Sequence, residues 1–269
     1  AFDDVRDKWG DDDPGAEKQW LPLLQNRPKD KPFFMWFASS DAHRGWDDKI
    51  TLSKHDPQSA QVPRYLADAA PTRTDLSKYY DEIARLDSYV GAIESELKNQ
   101  GISENTVIIF MADNGRPFPR CKTRVYDSGM KTPFVLKWPH GIKRRGIACE
   151  SLISAVDIAP TILDLCGVPI DAPFQGKSFA SVLKRPGKQF RNYVFSEHNW
   201  HDHEALERMV RSKDFLYIVN ERPQFPNCGP ADSNRSASQA ALDSLRNAGE
   251  LTPEQEDIYL APRPAEELY

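Results

Sequence analysis

The sequence predicts an α/β fold, with a mostly parallel sheet sandwiched by helices and a small antiparallel α+β subdomain after it. Two short apolar runs, PFFMWFASS at 32–40 and TVIIFMA at 106–112, are typical of buried strands. Between them, apolar residues from Leu76 to Leu97 recur at spacings of three and four, which predicts a long amphipathic helix ending near Gly101. A strand, a helix and a second strand indicate a crossover, so we expect these two strands to be parallel.

Shorter patterns predict the remaining elements. These are a helix around Trp20 to Leu24, a strand at 133–138, a helix capped by Asp157 that runs through Leu165 and stops at Gly167, strands in NYVFSE, RMVRS and FLYIVN, and a polar helix around Ala240 to Arg246. After about residue 188 the strand patterns are typical of an antiparallel sheet. We therefore expect two parts, 1–188 with the α/β sheet and 189–269 as the smaller subdomain.

Composition excludes several classes of function. The chain has 269 residues, 39% of them hydrophobic, which is enough for a sizeable core. A formal net charge of -5 argues against a general nucleic-acid binder, because binding phosphates needs a basic surface. No run approaches the roughly 18 apolar residues of a membrane span. The four cysteines lie far apart without a CxxC pair, which argues against a zinc knuckle or a dithiol redox site.

Polar residues follow the two best strands, where ligands of open α/β sheets bind. Asp41-Ala42-His43 follows the first, and Asp113-Asn114-Gly115 follows the second. Carboxylate and amide oxygens suit Ca²⁺ or Mg²⁺, so Asp113 and Asn114 are candidate metal ligands. Asp-Asn-Gly also turns a chain with no metal involved, and the residues alone leave both interpretations open.

Basic residues and histidines add to this candidate site. Arg116, Arg120, Lys122 and Arg124 crowd the loop after Asn114, and they predict either an anion pocket or a solvated basic loop. His43 suits proton transfer if it faces that loop. His198, His201 and His203, with Trp200, form either a saccharide or aromatic subsite or a polar loop.

Several motifs, in order, resemble the sulfatase family of the alkaline-phosphatase-like superfamily. They are FFMWFASSDAHRG, LDSYVGAIESEL, VIIFMADNG followed by Lys122, GMKTPFVLKWP, AVDIAPTILDLCGV and RMVRSKDFLYI. The match runs from about Pro32 to Asn220 and continues weakly to EELY. DNGRPFPRCKT and the histidine-rich loop look most like the sulfamidase (N-sulfoglucosamine sulfohydrolase) branch.

The resemblance implies roles for residues at matching positions. Asp113 and Asn114 match two ligands of a divalent metal, usually Ca²⁺, with Mg²⁺ as the alternative. Lys122 matches the residue that contacts the sulfate, and His43 matches the histidine that assists the leaving group. Asp41 is expected to hold the substrate, a sulfated saccharide, and we expect His203 to bind it as well. Residues 1–188 would then be the C-terminal portion of the catalytic domain, in an extracytoplasmic protein of undetermined oligomeric state.

One family motif does not occur in these 269 residues. Sulfatases carry Cys-x-Pro-x-Arg or Ser-x-Pro-x-Arg, whose first residue becomes the formylglycine nucleophile, together with an N-terminal pair of aspartates. The residues that follow the four cysteines give the sequences CKTR, CESL, CGVP and CGPA, none of which matches the motif. No serine begins the motif either. We therefore expect the nucleophile to lie outside this chain, which alone would release no sulfate.

Two rival functions stay open. One is a related hydrolase of phosphate or phosphonate esters with a Thr or Ser nucleophile. The other is a non-catalytic carbohydrate-binding protein that has kept the fold and the anion pocket. Residues upstream of Ala1 would separate the three hypotheses.

Overall fold

The structure is a computed structural model that describes residues 15–48, 54–170 and 173–269. Within that part of the chain, no helix combines the length and the apolar character needed to cross a membrane. The chain forms two compact units that interleave along the sequence. Unit 1 holds the described residues up to Ser103, with Arg116–Pro119 and Ala231–Asp257; unit 2 holds Glu104–Gly115, the described residues of Arg120–Pro230, and Ile258–Tyr269. The predicted boundary at residue 188 stays a prediction.

Unit 1 is helical. Its helices are α1 (Glu17–Asn26), α2 (Ala70–Asn99), α6 (Ala231–Asn234), α7 (Ala237–Ala248) and α8 (Pro253–Glu256). Helix α1 packs on α2 through Trp20 and Leu24, both buried. Ser236 caps α7 by accepting a hydrogen bond from the Gln239 N–H at 3.0 Å. The predicted helices around Trp20 and from Ala240 are confirmed.

Helix α2 is the predicted long amphipathic helix. It begins at Ala70, with Pro71 in its first turn, and places Leu76 and Leu97 in the core. Gly101 follows the helix with φ +70°, a left-handed conformation that glycine adopts without a Cβ clash. The predicted end of the helix is therefore confirmed.

Residues 32–40 do not form the predicted strand. Phe34 and Trp36 are 55% and 73% exposed, and no strand of the described residues pairs with this segment. Instead, Phe37 stacks on Trp20, and Glu17 accepts hydrogen bonds from Ser39 Oγ and the Ser40 N–H. An apolar run indicates burial only where a partner strand supplies hydrogen bonds, so the prediction of a buried strand was wrong.

Unit 2 contains two sheets. Strands β1 (Ile108–Met111) and β2 (Phe134–Lys137) pair antiparallel, as do β3 (Val194–Trp200), β4 (Glu204–Arg211), β5 (Leu216–Asn220) and β6 (Glu266–Leu268), in that order. The C-terminal antiparallel sheet was predicted and is confirmed. Strand pairing within the described residues is antiparallel throughout, so the parallel sheet is not confirmed. Short apolar segments located β1 and β2, but they carry no information about which strand lies beside each of them.

The core of unit 2 lies under the larger sheet. Val125, Tyr126, Met209, Leu216 and Ile218 form one buried apolar cluster. The other helices of this unit are α3 (Asp127–Met130), α4 (Ile158–Leu165) and α5 (Ala180–Lys184). The cluster joins the turn after residue 120 to strands β4 and β5.

Helix α4 lies where the sequence predicted, but the side chain of Asp157 does not cap it, because its carboxylate binds other donors. Asp157 lies just before it, fully buried, and accepts hydrogen bonds from the backbone of Ser154 and Lys177 and from Arg191. Burial alone would raise the pKa of Asp157, but these donors outweigh it and hold the pKa below its usual value. Gly167, with φ +68°, follows the helix.

Candidate functional site

The loop that carries His43 is fixed to α2 through Asp41. Arg85 on α2 donates to both oxygens of the Asp41 carboxylate at 2.9 and 2.6 Å, and also to Asp47 at 2.8 Å. The Asp41 side chain is only 4% exposed. Its carboxylate is therefore engaged inside unit 1, and its predicted contact with substrate stays a prediction.

A second ion pair fixes the same loop on the other side of His43. Arg44 donates to both oxygens of Asp75 on α2, each at 2.8 Å, and to the carbonyl of Pro117 at 2.6 Å. Asp75 also accepts a hydrogen bond from Trp46 Nε1 at 2.6 Å. Residues 41–46 are thus held to one helix at two points.

The His43 ring has two different nitrogens. Nδ1 lies 2.5 Å from the Arg44 carbonyl oxygen, and because a carbonyl only accepts, Nδ1 carries a hydrogen. Nε2 lies 3.6 Å from Oδ2 of Asp232, at the start of α6. The side chain is 59% exposed. Nε2 is therefore the nitrogen that can exchange a proton with a ligand.

Glu82 on α2 supports the same loop. It is buried and accepts a hydrogen bond from the Asp47 N–H at 2.8 Å. Burial, with the negative charges of Asp41 and Asp47, raises the pKa of Glu82 to about 7. This carboxyl changes charge near neutral pH, and sequence reasoning missed it because α2 carries many similar acidic residues.

In unit 2, Asp113 and Asn114 lie in the turn that follows β1. Asp113 Oδ1 accepts a hydrogen bond from the Asn114 N–H at 2.8 Å, and Asn114 Nδ2 donates to the Gly115 carbonyl at 2.7 Å. The exposed Asp113 carboxylate and the Asn114 side-chain oxygen are hard donors that fit Ca²⁺.

This pair would fill only part of a metal shell. Calcium takes about six to eight oxygens, and within the described residues no group of three or more His, Cys, Asp or Glu side chains is placed to hold a metal ion. The donor chemistry fits the metal, and the role of the two residues as ligands stays a prediction.

Two glycines bring the Asp113 turn and the Lys122 turn together. The Gly115 N–H donates to the Gly129 carbonyl at 2.8 Å, and a Cβ on Gly115 would lie 2.1 Å from the Ser128 carbonyl oxygen. A Cβ on Gly129 would in turn lie 2.5 Å from the Cys121 carbonyl oxygen. Both turns therefore pack on the same backbone at Gly129.

Lys122 lies in a strained turn. Arg120 and Thr123 on either side have φ of 66° and 67°, a left-handed conformation that is costly for residues with a Cβ. Lys122 itself is buried, with 9% exposure. Such strain tends to occur at functional sites, and contact of Lys122 with a ligand stays a prediction.

Two other basic residues of this segment, Arg120 and Arg124, pack against neighbouring side chains. The Arg120 guanidinium lies over the Tyr126 ring, 3.8 Å from its centroid. Arg124 is buried, 3.8 Å from Glu207. Within unit 2, these two side chains contribute to packing and ion pairing rather than to a solvated basic loop.

Glu207 is the centre of a buried ionic cluster that sequence reasoning missed. It accepts a hydrogen bond from His198 Nδ1 at 3.0 Å and pairs with Arg263 at 2.5 Å. Burial alone would raise its pKa, but His198 and the charges of Arg263 and Arg124 hold the pKa below its usual value. A sequence signal existed, because Glu207 lies two residues before the buried Met209 on β4 and its side chain therefore points to the same face of the sheet. A charged side chain on an inward face requires partners.

The three histidines separate in the structure. His198 and Trp200 lie on β3, whereas His201 and His203 lie in the turn before β4. His203 borders a cavity of about 10 Å³ beside Arg124 and Asn220, room for one water and far too small for a sugar ring. Binding of a saccharide by His203 therefore stays a prediction, and it would have to use the exposed face of the turn.

A larger cleft, of about 410 Å³, lies in unit 1. Its charged lining is mostly acidic: Asp47, Asp48, Asp56 and Asp81, with Lys54, His55 and Lys78. An acidic surplus repels sulfate, so this cleft does not suit the sulfated end of a ligand.

The predicted site residues fall into two groups. Asp41 and His43 lie in unit 1, whereas Asp113, Asn114, Lys122 and His203 lie in unit 2. The structure brings Asp113, Asn114 and Lys122 onto neighbouring turns. A common pocket for His43 and Lys122 stays a prediction.

Known proteins resemble this chain over much of its length. The family model for sulfatases matches residues 9–168, and the model for the C-terminal part of N-sulphoglucosamine sulphohydrolase matches residues 121–220. The chain is 34% identical over 210 residues to an ulvan-active sulfatase of Formosa agariphila, covering 77% of this chain and 35% of that protein.

Two further comparisons agree. Human N-sulphoglucosamine sulphohydrolase is 32% identical over 162 residues, covering 52% of this chain and 32% of that protein. A solved protein of Bacteroides thetaiotaomicron, with a provisional sulfatase assignment, superposes with a TM-score of 0.53 at 19% identity, over 82% of this chain and 57% of that one, and shares the fold. The chain spans about a third of the length of these two curated relatives. With a sulfatase model matching more than half of its residues, the chain belongs to the sulfatase family.

Proposed function

We propose that the protein containing this chain is a sulfatase that removes sulfate from a sulfated saccharide, as an O-sulfate ester or an N-sulfate. The observation that carries the proposal is the packing of two turns, one with Asp113 and Asn114 and the other with Lys122, on Gly129. Oxygen donors and a buried lysine on neighbouring turns suit a metal-assisted reaction at an anion. The relatives act, by their names, on ulvan and on N-sulphoglucosamine, which supports a saccharide substrate.

Lys122 would meet the sulfuryl oxygens. Its side chain is almost buried, so its charge acts through less water than a surface lysine would. Negative charge grows on those oxygens as the sulfur–oxygen or sulfur–nitrogen bond breaks. A fixed ammonium group beside them therefore stabilises the transition state more than the bound substrate.

His43 would give a proton to the departing oxygen or nitrogen. Its Nδ1 hydrogen is held by the Arg44 carbonyl, so the proton transferred is the one on Nε2. Protonation matters most for a saccharide, because an alkoxide or amide anion is a poor leaving group. This role requires Nε2 to reach the substrate, and the exposure of the side chain is compatible with that.

Asp113 and Asn114 would hold part of the shell of a divalent cation, Ca²⁺ or else Mg²⁺. When bound, such a cation withdraws charge from the sulfate and favours the ionised nucleophile. The nucleophile in this proposal is a formylglycine outside these 269 residues, because no cysteine or serine here begins the required motif. We also propose an extracytoplasmic location, as the resemblance implies.

The test is an assay of the full-length protein against N-sulfated glucosamine and O-sulfated saccharides. We expect multiple-turnover sulfate release from at least one of them. Lys122→Ala should lower kcat/KM by roughly 10²- to 10³-fold, the usual cost of removing one group that stabilises the transition-state charge. Lys143→Ala, at an exposed lysine of the same unit, is the matched control and should leave kcat/KM unchanged. Wild-type protein that releases phosphate but no sulfate would contradict the proposal.

A further inference from the structure

His43 lies between two ion pairs that run in opposite directions. Before it, the carboxylate of Asp41 is in the loop and its partner Arg85 is on α2; after it, the guanidinium of Arg44 is in the loop and its partner Asp75 is on α2. Each pair uses two hydrogen bonds, so each fixes an orientation as well as a distance. We propose that Arg85 and Asp75 are positioning residues for His43, an inference that rests on the proposed function.

The two pairs hold the loop at widely separated points. Asp75 and Arg85 are ten residues apart on one helix, so their backbones are about 15 Å apart along the axis. A segment tied at both ends to a rigid helix can neither slide along it nor rotate about a single contact. The backbone of His43 is thereby fixed relative to α2.

The orientation of the ring follows from the same contacts. His43 Nδ1 donates to the carbonyl oxygen of Arg44, the residue that Asp75 holds by both carboxylate oxygens. A chain of direct contacts therefore runs from Asp75 through Arg44 to the imidazole. The direction in which Nε2 points depends on this chain, and so does the distance from Nε2 to a leaving group.

Burial makes the two pairs persistent. The side chains of Asp41, Arg44 and Asp75 are each less than 10% exposed. Water competes poorly for such bonds, and a lysine in place of an arginine keeps the charge but loses the two-pronged geometry. A ring displaced by about 1 Å can lose on the order of 10²-fold in rate, even when the mutation lies away from the chemistry.

A displaced proton donor affects substrates with poor and good leaving groups differently, whereas a general structural defect affects both alike. A poor leaving group, such as a sugar alkoxide, needs the proton from His43, whereas a nitrophenolate departs without it. Loss of positioning should therefore slow saccharide sulfate hydrolysis and spare nitrophenyl sulfate hydrolysis. Partial unfolding or loss of metal would slow both substrates equally.

The experiment compares Arg85→Lys with Arg73→Lys in the full-length protein. Arg73 is the matched control, because it makes a similar two-pronged pair with Asp68 at the start of α2, and its other hydrogen bonds go to the carbonyls of Gln58 and Ala60. For Arg85→Lys we expect kcat on the cleaved saccharide sulfate to fall by about 10²-fold, with a change of less than about 3-fold on 4-nitrophenyl sulfate. Arg73→Lys should match the wild type on both substrates.

Asp41→Asn provides a second variant on the other side of the same pair. Asp41→Asn combined with Arg85→Lys should lose no more activity than the more damaging single change, because both disrupt one contact. Equal losses on both substrates, or a saccharide rate as high as that of Arg73→Lys, would overturn the positioning role. Failure of the proposed function is a separate result, because wild-type protein would then cleave neither sulfate.

Discussion

Asp75 and Arg44 form a buried ion pair with two hydrogen bonds of 2.8 Å, in which each carboxylate oxygen accepts one. Ser238 on α7 adds a third partner, because its hydroxyl donates to the same carboxylate at 2.6 Å. Burial alone would raise the pKa of Asp75, but Arg44 and the other donors outweigh it and hold the pKa below its usual value. One carboxylate therefore ties together α2, α7 and the loop of His43.

Asp75→Asn should destabilise unit 1. It leaves the Arg44 guanidinium buried without a counter-charge, so we expect the free energy of unfolding at pH 7 to fall by about 3–5 kcal/mol. Asp68→Asn, at the exposed partner of Arg73, should cost much less, because water already screens an exposed ion pair. Chemical denaturation of both variants measures the difference, and equal losses would contradict it.

Because the folded pKa of Asp75 is depressed, the stability that the pair contributes is present at neutral pH and disappears as the pH falls below about 3.9.

Glu82 should make stability depend on pH between about 4.5 and 7. Its pKa is about 7 in the fold, against 4.5 as the ordinary value, so over this range the folded carboxyl keeps a proton that the unfolded chain has released. The free energy of unfolding should therefore fall as the pH rises to about 7. Glu82→Gln keeps the acceptor for the Asp47 N–H and should lose that slope. Asp87→Asn, exposed on the same helix, should retain it; parallel curves for Glu82→Gln and wild type would contradict the assignment.

Gly129→Ala should disturb the turns of Asp113 and Lys122. The new Cβ would lie 2.1 Å from the Arg124 carbonyl oxygen, and relief of that clash requires the backbone to move. We expect a loss of about 1–3 kcal/mol, the usual cost of overpacking. Gly91→Ala, in the middle of α2 with open space around it, should instead gain about 0.5–1 kcal/mol. A neutral Gly129→Ala would show that the two turns do not depend on this contact.

Asp113 should couple calcium to stability in the full-length protein. A ligand present at 100 times its Kd stabilises the folded state by about 2.7 kcal/mol, so calcium should raise Tm. Asp113→Ala should abolish most of that rise, because a charged oxygen donor is lost. Asp214→Ala removes an exposed aspartate elsewhere in unit 2 and should leave the rise unchanged. The same calcium-induced rise in wild type and Asp113→Ala would remove Asp113 from the metal site.

Local patterns located most of the elements. The spacing of apolar residues predicted α2 to within a few residues, and Gly101 and Gly167 marked helix ends because a left-handed residue there favours glycine. The segments RMVRS and FLYIVN, with their strand-forming residues, predicted β4 and β5. These signals are local, since each depends on neighbours within a few positions along the chain.

The sequence alone determined the family, the chemistry of the candidate residues and the positions of helices α1, α2, α4 and α7. The tertiary structure decided which charges meet: Asp41 and Arg85 are 44 residues apart, and Asp75 and Ser238 are 163 apart. It also decided that residues 32–40 form no strand and that β1 pairs antiparallel with β2. Propensity and periodicity act over a few residues, whereas strand partners and buried ion pairs depend on which distant segments fold against each other. That is why the sequence could name Asp41 and His43 as candidates, but only the fold assigned Arg85 and Asp75 to hold their loop.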